Sequence, residues 1–204
     1  MNALFAHGFE GVPNGRKARY LREALGYEVV APHMYERGWR FEDQVQVLLE
    51  AIDADRDLKL LVGSSMGGFA TAVAASRRRD RDLRLLLMAP AVGLHAVWSE
   101  QLGAEAMRLW AEMGTLQYLH QGVGRDVDLP YALWTQCRDE AGVVITHPAM
   151  IIHGLHDDTV PVENAVALAR RSAGVKCLYA VADGHRLLDS LPMMGEAVAK
   201  LIGG

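Results

Sequence analysis

A serine lies at the centre of the run Gly63-Ser64-Ser65-Met66-Gly67-Gly68. An apolar segment, residues 58–62, precedes this run, and a segment of small residues, 67–76, follows it. Glycines two positions before and after a serine allow the sharp strand-to-helix turn that exposes its hydroxyl. Free N–H groups at the start of such a helix stabilise negative charge beside that hydroxyl. The pattern therefore predicts Ser65 as a nucleophile, the alternative being an ordinary strand–helix connection.

Two loops further along the chain supply the other groups that a serine nucleophile needs. Asp157 follows the apolar segment 149–153, and His185 follows the apolar segment 176–181. In a catalytic triad a histidine accepts the serine proton, and a carboxylate fixes the histidine tautomer and stabilises the imidazolium. The order serine, acid, histidine is one in which such triads occur. We therefore predict Asp157 as the acid and His185 as the base.

Neighbouring aspartates are rivals for the role of the acid. Asp158 lies closer to the helical segment 163–173, so it suits the cap of that helix better than Asp157 does. Asp183 and Asp189 flank His185. Asp183 is too close in sequence for its carboxylate to reach the required edge of the imidazole ring easily.

The run His7-Gly8-Phe9-Glu10-Gly11 follows another short apolar segment, residues 3–6. Acyl transfer to a serine needs two N–H donors at the position where the oxyanion develops. One donor is predicted to be the backbone N–H of Met66, the residue after the nucleophile, and the other the backbone N–H of Phe9. His7 itself is expected to have a structural role, packed beneath this loop.

A metal site is the competing interpretation of the same loops. Histidine and carboxylate side chains are suitable zinc ligands, and His153, His156, Asp157 and His185 supply four of them. Their spacing matches no established pattern for a metal site, and a metal leaves the serine motif unexplained. We therefore expect neither a metal nor another cofactor.

Short apolar segments alternate with helical patterns along most of the chain, which indicates an α/β fold. Such an alternation predicts a mostly parallel sheet with helices on both faces and with functional loops at the carboxyl ends of the strands. The predicted strands are 3–6, 28–31, 58–62, 83–88, 149–153 and 176–181, and the predicted helices are 16–25, 41–54, 67–76, 163–173 and 192–202.

Residues 92–147 interrupt this alternation and contain no strong core strand. Helices are predicted near 97–113 and over 131–140, with a hairpin around 122–124. We expect the segment to form a cap within a single domain that spans residues 1–204. Four large apolar side chains in the segment are candidates for lining a substrate pocket, the alternative being that this face only packs on the sheet. They are Trp98, Trp110, Met113 and Trp134.

The bulk properties exclude several classes of protein. A formal net charge of −4 without a basic stripe argues against nucleic-acid binding. No stretch approaches the roughly 18 apolar residues that a membrane span needs. The apolar start of the chain, residues 1–5, is too short for a signal peptide and lacks a basic leading segment. We therefore expect a cytoplasmic protein.

Together the four motifs resemble the α/β-hydrolase superfamily. The serine motif and His7-Gly8-Phe9 are similar to those of small YqiA-type bacterial esterases. The runs 153–161 and 183–187 look like the mitochondrial palmitoyl-protein thioesterase branch. The sequence departs from many larger members in one respect, because the antiparallel hairpin that opens their sheet is missing. This departure predicts a minimal sheet of about six strands, with a small cap insertion.

The same resemblance implies hydrolysis of a small-molecule ester or thioester without a cofactor, with Asp157 as the triad acid. Two alternatives remain open at the level of the sequence. The same triad can hydrolyse C–C bonds, and a non-enzymatic ligand-binding module can use the hydrolase fold.

Overall fold

The structure is a computed structural model that describes residues 1–203. Within these residues the strands are β1 (Asn2–Ala6), β2 (Glu28–Val30), β3 (Leu60–Ser64), β4 (Arg84–Met88), β5 (Thr115–His120), β6 (Arg125–Pro130), β7 (Ala149–Gly154) and β8 (Val175–Val181). All but β5 and β6 form one parallel sheet, in the order β2-β1-β3-β4-β7-β8. The prediction of a minimal, mostly parallel sheet of about six strands is confirmed.

Helices cover both faces of this sheet. They are α1 (Arg16–Glu23), α2 (Phe41–Ala54), α3 (Met66–Ser76), α4 (Leu94–Met113), α5 (Tyr131–Asp139), α6 (Val162–Arg171) and α7 (Leu191–Gly203). Side chains of α1 and α7, among them Leu21 and Leu201, are buried on one face. Side chains of α2, α3 and α6, among them Phe41, Phe69 and Leu168, are buried on the other. Within residues 1–203 no helix combines the length and the apolar character needed to cross a membrane.

The strand register brings the functional loops to one edge of the sheet. Gly63 of β3 lies opposite Ala6 of β1, and His153 of β7 lies opposite Ala180 of β8. Because parallel strands end at a common edge, the loops after β1, β3, β7 and β8 meet there.

Strand β3 extends two residues beyond the predicted segment 58–62. The apolar pattern ends at Val62, but Gly63 and Ser64 continue the ladder, where they pair with Leu87 and Met88 of β4. A small residue in the last positions of a buried strand carries no hydrophobic signal, so periodicity alone places the end too early.

Residues 92–147 hold α4, β5, β6 and α5. The two strands pair only with each other, and the turn between them confirms the predicted hairpin around 122–124. Helix α4 begins at Leu94 and is broken at Gly103, whose φ of 76° and ψ of 165° are not helical. The break separates the half of α4 that carries Trp98 from the half that carries Trp110.

Candidate active site

Ser65 lies at the turn between β3 and α3 with φ 54° and ψ −122°, a conformation that residues other than glycine rarely adopt. Its N–H donates to the carbonyl of Met88 at 2.9 Å. Its carbonyl accepts the N–H groups of Phe69 and Ala91, each at 3.0 Å. These three hydrogen bonds hold the strained turn, as a nucleophile elbow requires.

Two glycines of the serine motif allow the close packing around this turn. A Cβ at Gly63 would lie 2.5 Å from Thr71 Oγ1, and a Cβ at Gly67 would overlap the carbonyls of Ala6 and His7. Without side chains at these positions, α3 packs directly on the ends of β1 and β3. The loop after β1 is thereby placed beside the serine.

The imidazole of His185 connects the other two predicted triad residues. Its Nε2 lies 2.8 Å from Ser65 Oγ, and its Nδ1 lies 2.8 Å from Asp157 Oδ2. Because Nδ1 faces a carboxylate oxygen, it carries the proton and donates, which leaves Nε2 free to accept the serine hydroxyl. The fold thus joins side chains that are 120 and 28 residues apart in the chain.

The carboxylate of Asp157 is completely buried and fully hydrogen-bonded. Oδ1 accepts the N–H groups of Thr159 and Val160 at 2.9 and 2.8 Å. Oδ2 accepts His185 and also lies 3.1 Å from His153 Nε2. Burial raises the pKa of Asp157, but hydrogen bonds from both histidines and from the Val160 N–H outweigh burial and hold the pKa well below its usual range. The carboxylate therefore stays charged.

The rival acids occupy other positions. Asp158 does not cap α6, because that helix begins at Val162 after Pro161, and Asp158 instead accepts the hydroxyl of Thr159 at 3.2 Å. Asp183 accepts both the N–H and the hydroxyl of Ser190, at 3.0 and 2.9 Å, within its own loop. The structure brings Asp157 to His185, as the sequence predicts.

The two predicted oxyanion donors lie on either side of the serine. Met66 is the first residue of α3, so its N–H has no acceptor within the helix. A Cβ at Gly8 would lie 3.0 Å from Ser65 Cβ, which places the backbone that leads into Phe9 directly against the nucleophile.

His7 is buried beneath this loop, at the position that the sequence predicts. Its Nε2 accepts the N–H of Met34 at 3.2 Å, and its Nδ1 lies 2.9 Å from the carbonyl of Gly8. Burial lowers the pKa of His7 to about 4, so the ring is neutral at pH 7.

Ser65 and His185 open onto a cavity of about 960 Å³. A wall of large apolar side chains belongs mostly to residues 92–147, and three cations line another part of the cavity. The apolar side chains are Phe9, Leu94, Trp98, Leu102, Trp110, Leu116, Tyr118 and Leu129, and the cations are Arg16, Lys17 and Arg186. Sequence reasoning missed these cations, although Arg16 and Lys17 lie just beyond the loop that follows β1, at the edge where ligands bind.

Two of the four pocket residues named from the sequence do not line this cavity. Met113 is 76% exposed, because α4 ends there and the chain turns at Gly114. Trp134 stacks on Tyr131 and donates its Nε1–H to the carbonyl of His95 at 2.9 Å, so it joins α5 to α4. Composition identified large apolar side chains but not the direction in which each one points.

The histidines of the rival metal site are not arranged as ligands. His153 and His185 both contact Oδ2 of Asp157, and His156 is exposed. Among the residues that the structure describes, no group of three or more His, Cys, Asp or Glu side chains is placed to hold a metal ion.

Residues 2–177 match the family UPF0227, described as an uncharacterised protein family. The chain belongs to this family. No curated protein matches it significantly in sequence. The resemblance to YqiA-type proteins is confirmed.

Solved structures establish the α/β-hydrolase fold. Alpha/beta hydrolase domain-containing protein 10 from mouse gives a TM-score of 0.77 at 20% identity, over 99% of this chain and 89% of the mouse chain. Est1E from Butyrivibrio proteoclasticus, solved with ferulic acid bound, gives 0.77 at 19% identity, over 100% and 90% of the two chains. The meta-cleavage product hydrolase CumD from Pseudomonas fluorescens IP01 gives 0.62 at 17% identity, over 99% and 90%.

Proposed function

We propose that this protein is a serine hydrolase that cleaves a carboxylic ester or thioester through a covalent acyl-enzyme. One observation carries the proposal: Ser65 Oγ, the two ring nitrogens of His185 and Asp157 Oδ2 form an unbroken series of hydrogen-bond contacts, each 2.8 Å long. The series starts at a serine held in a strained turn and ends at a buried, charged carboxylate. Both features are those of a serine nucleophile activated by a histidine base.

In the first step His185 Nε2 removes the proton of Ser65 as Oγ attacks the substrate carbonyl. The tetrahedral intermediate collapses when the bond to the leaving group breaks, and His185 returns the proton to the leaving oxygen or sulfur. Water, deprotonated by His185, then attacks the acyl-enzyme. His185 returns this proton to Ser65 Oγ as the bond between Oγ and the acyl carbon breaks, which releases the carboxylic acid and restores the free enzyme. Asp157 stabilises the imidazolium in both steps without taking its proton.

The N–H groups of Phe9 and Met66 are proposed to hold the oxyanion of both tetrahedral intermediates. No metal or other cofactor enters any of these steps. We therefore expect chelators to leave activity unchanged, and a loss of activity restored by zinc would contradict the mechanism.

The segment 92–147 is proposed to act as a cap that binds the acyl group. It supplies most of the apolar wall, including Trp98, Trp110 and Leu116, while Arg16 and Arg186 lie elsewhere on the cavity. An apolar cavity of this volume with a few polar groups is typical of a small-molecule site.

A fluorophosphonate probe tests the nucleophile, because it labels only a serine activated in this way. Wild-type protein should be labelled at Ser65, and Ser64→Ala should react similarly because Ser64 makes no contact with His185 in the triad. Ser65→Ala should not react. Labelling of folded Ser65→Ala, or the absence of labelling in the wild type, would contradict the proposal and favour a ligand-binding module.

The likeness to CumD favours C–C bond hydrolysis as a second candidate, since that protein is a meta-cleavage product hydrolase with the same fold. A panel of p-nitrophenyl esters, acyl thioesters and meta-cleavage products separates the two. We expect turnover of the esters or thioesters. Turnover of the meta-cleavage products alone would replace the ester proposal with the second candidate.

A further inference from the structure

The peptide that joins Gly8 to Phe9 carries one of the two proposed oxyanion donors. A trans peptide is planar, so its C=O and N–H point in opposite directions, and no cis peptide occurs among residues 1–203. Whatever fixes the carbonyl of Gly8 therefore fixes the direction of the Phe9 N–H. This matters because the loop is a turn with glycines at 8 and 11, which resist rotation poorly.

Three donors surround the carbonyl of Gly8. The N–H of Gly11 donates to it at 2.9 Å, and the hydroxyl of Tyr35 lies 3.0 Å away. The third is Nδ1 of His7, at 2.9 Å. Because the N–H of Met34 donates to Nε2 of His7, the proton of the neutral ring is on Nδ1, and His7 is a donor here.

The next carbonyl, that of Phe9, is held in the same way. The hydroxyl of Tyr35 also reaches it, and Nε2 of His120 lies 2.5 Å away. The N–H of Val123 donates to Nδ1 of His120, so the proton of a neutral ring is on Nε2. His120 is completely buried in β5, so this donor comes from the segment proposed as the cap.

The hydroxyl of Tyr35 reaches both carbonyls, and its neighbours hold its ring in place. The ring stacks on Trp39 at 4.2 Å between centroids and meets the edges of His7 and His120 at 5.4 and 5.3 Å. Burial, followed by the nearby Glu10 and Tyr118, raises the pKa of Tyr35 far above its ordinary value. The hydroxyl therefore keeps its proton and remains a donor at neutral pH.

We propose that Tyr35 is a positioning residue that, together with His120 of the hairpin β5–β6, fixes the Gly8–Phe9–Glu10 backbone so that the Phe9 N–H points at the oxyanion. The inference rests on the proposed function, since it concerns an oxyanion formed at Ser65. Tyr35 touches neither the substrate nor the reacting atoms in this role. It acts through the carbonyls of Gly8 and Phe9, between which it shares its single hydroxyl proton.

The substitution Tyr35→Phe removes the hydroxyl and keeps the ring packing. We expect kcat for an ester substrate to fall about tenfold to a hundredfold with KM within about twofold, less than the 10²- to 10³-fold cost of deleting a whole oxyanion donor. Tyr20→Phe is the matched control, because Tyr20 is also partly buried but lies on the opposite face of the sheet. It should leave both constants unchanged.

A trifluoromethyl ketone separates positioning from packing. Ser65 adds to this ketone and forms a stable tetrahedral adduct with an oxyanion, whereas the corresponding amide only occupies the cavity. Tyr35→Phe should weaken the binding of the ketone by the same factor by which it lowers kcat. It should leave the inhibition constant of the amide unchanged. The inference would be overturned if Tyr35→Phe weakened the binding of both inhibitors equally. It would also be overturned if the kinetic and inhibition constants of Tyr35→Phe equalled those of Tyr20→Phe.

His120 gives a second test that remains if Tyr35→Phe does not fold. His120→Leu deletes the donor to Phe9 and should reproduce the selective loss of the ketone. His120→Gln restores a side-chain N–H and should recover activity to within about threefold of the wild type. If His120→Leu and His120→Gln have the same activity, the role of His120 is contradicted.

The proposed function and this inference can fail separately. A wild type that neither reacts with fluorophosphonate nor hydrolyses any ester overturns both. An active wild type, with a Tyr35→Phe variant whose constants are unaffected, overturns the inference alone.

Discussion

The serine elbow and the segment 92–147 differ in how deeply they are buried. Every residue of β3 is buried, and so are residues 66–75 of α3. In the twenty residues of α4 only Leu94 and Trp110 are buried, and in β5 only His120. Both regions line the same cavity beside Ser65.

Because of this difference, the buried elbow should govern reactivity, and the more exposed segment 92–147 should govern selectivity. A substitution in the elbow disturbs packing on all sides and displaces the nucleophile, because close-packed interiors tolerate little change in volume. A substitution on the exposed faces of α4 or β5 costs little stability. The shape of the cavity can therefore change while the triad stays in place.

Loss of the nucleophile should have the largest effect. Ser65→Ala is expected to reduce kcat roughly 10⁵-fold, because the acyl-enzyme cannot form. Ser64→Ala, which changes the neighbouring hydroxyl in the same buried strand end, should keep substantial activity. Steady-state kinetics on an ester that the wild type hydrolyses, with circular dichroism to verify folding, measure both. Comparable losses in the two folded variants would show that the elbow does not single out one serine.

The acid should follow in the order of effects. Asp157→Asn removes the charge that stabilises the imidazolium and should reduce kcat roughly 10³- to 10⁴-fold. Asp158→Asn serves as the control, because the Asp158 carboxylate contacts Thr159 and not His185. The kcat values of the two variants decide which aspartate is the triad acid. A larger loss of kcat for Asp158→Asn would assign that role to Asp158.

The buried histidine beneath the oxyanion loop should make the protein sensitive to acid. Burial lowers the pKa of His7 from 6.5 to about 4. Between these pH values the unfolded chain therefore binds a proton at His7 that the folded protein does not bind. The lowered pKa of His7 contributes about 3 kcal/mol to the free energy of unfolding above pH 6.5. This contribution is lost as the pH falls towards 4.

Urea unfolding between pH 7 and pH 4 tests this expectation. His7→Gln should have a slope of unfolding free energy against pH that is smaller by about one proton than that of the wild type. His156→Gln, at an exposed histidine, should keep the wild-type slope. Parallel curves for wild type and His7→Gln would show that folding does not lower the pKa of His7.

The smallest expected effect lies in the segment 92–147 and concerns selectivity. Trp98→Ala enlarges the cavity and should move the preferred acyl chain to greater length, with each methylene contact worth about 0.8 kcal/mol, or roughly fourfold in kcat/KM. Trp134→Ala is matched in residue type and segment but lies outside the cavity, so it should change stability and not chain-length preference. A p-nitrophenyl ester series measures both preferences, and identical profiles would remove the proposed cap from the acyl site.

The helix bounds were most predictable where apolar spacing is strong. Helix α2 spans Phe41–Ala54, the range that the sequence predicts, because Phe41, Val45, Leu48 and Ile52 recur at helical spacing and are all buried. The start of α4 was less predictable. The helix follows Gly93, whose φ is 84°, and begins at Leu94 rather than near residue 97.

The triad was predictable because each member follows a strand, and strand ends meet at one edge of a parallel sheet. The contacts that hold its surroundings were not. Tyr35 reaches Gly8 across 27 residues, and His120 reaches Phe9 across 111. Neither side chain stands in a recognisable motif, so only the folded chain reveals what it contacts. Of the pocket residues named from the sequence, Met113 and Trp134 lie outside the cavity. Met113 stands where α4 ends, and Trp134 packs between α5 and α4, which a sequence pattern does not reveal.

The position of β8 at the border of the sheet has a consequence for heat inactivation. This strand pairs with β7 alone, and none of its residues, Val175–Val181, is fully buried. An edge element of this kind opens locally at a lower free energy than the whole domain unfolds. The loop that follows it carries His185, so fraying of one border strand separates base from serine while β1, β3 and β4 remain packed. Activity should therefore disappear at a lower temperature than the helical signal does.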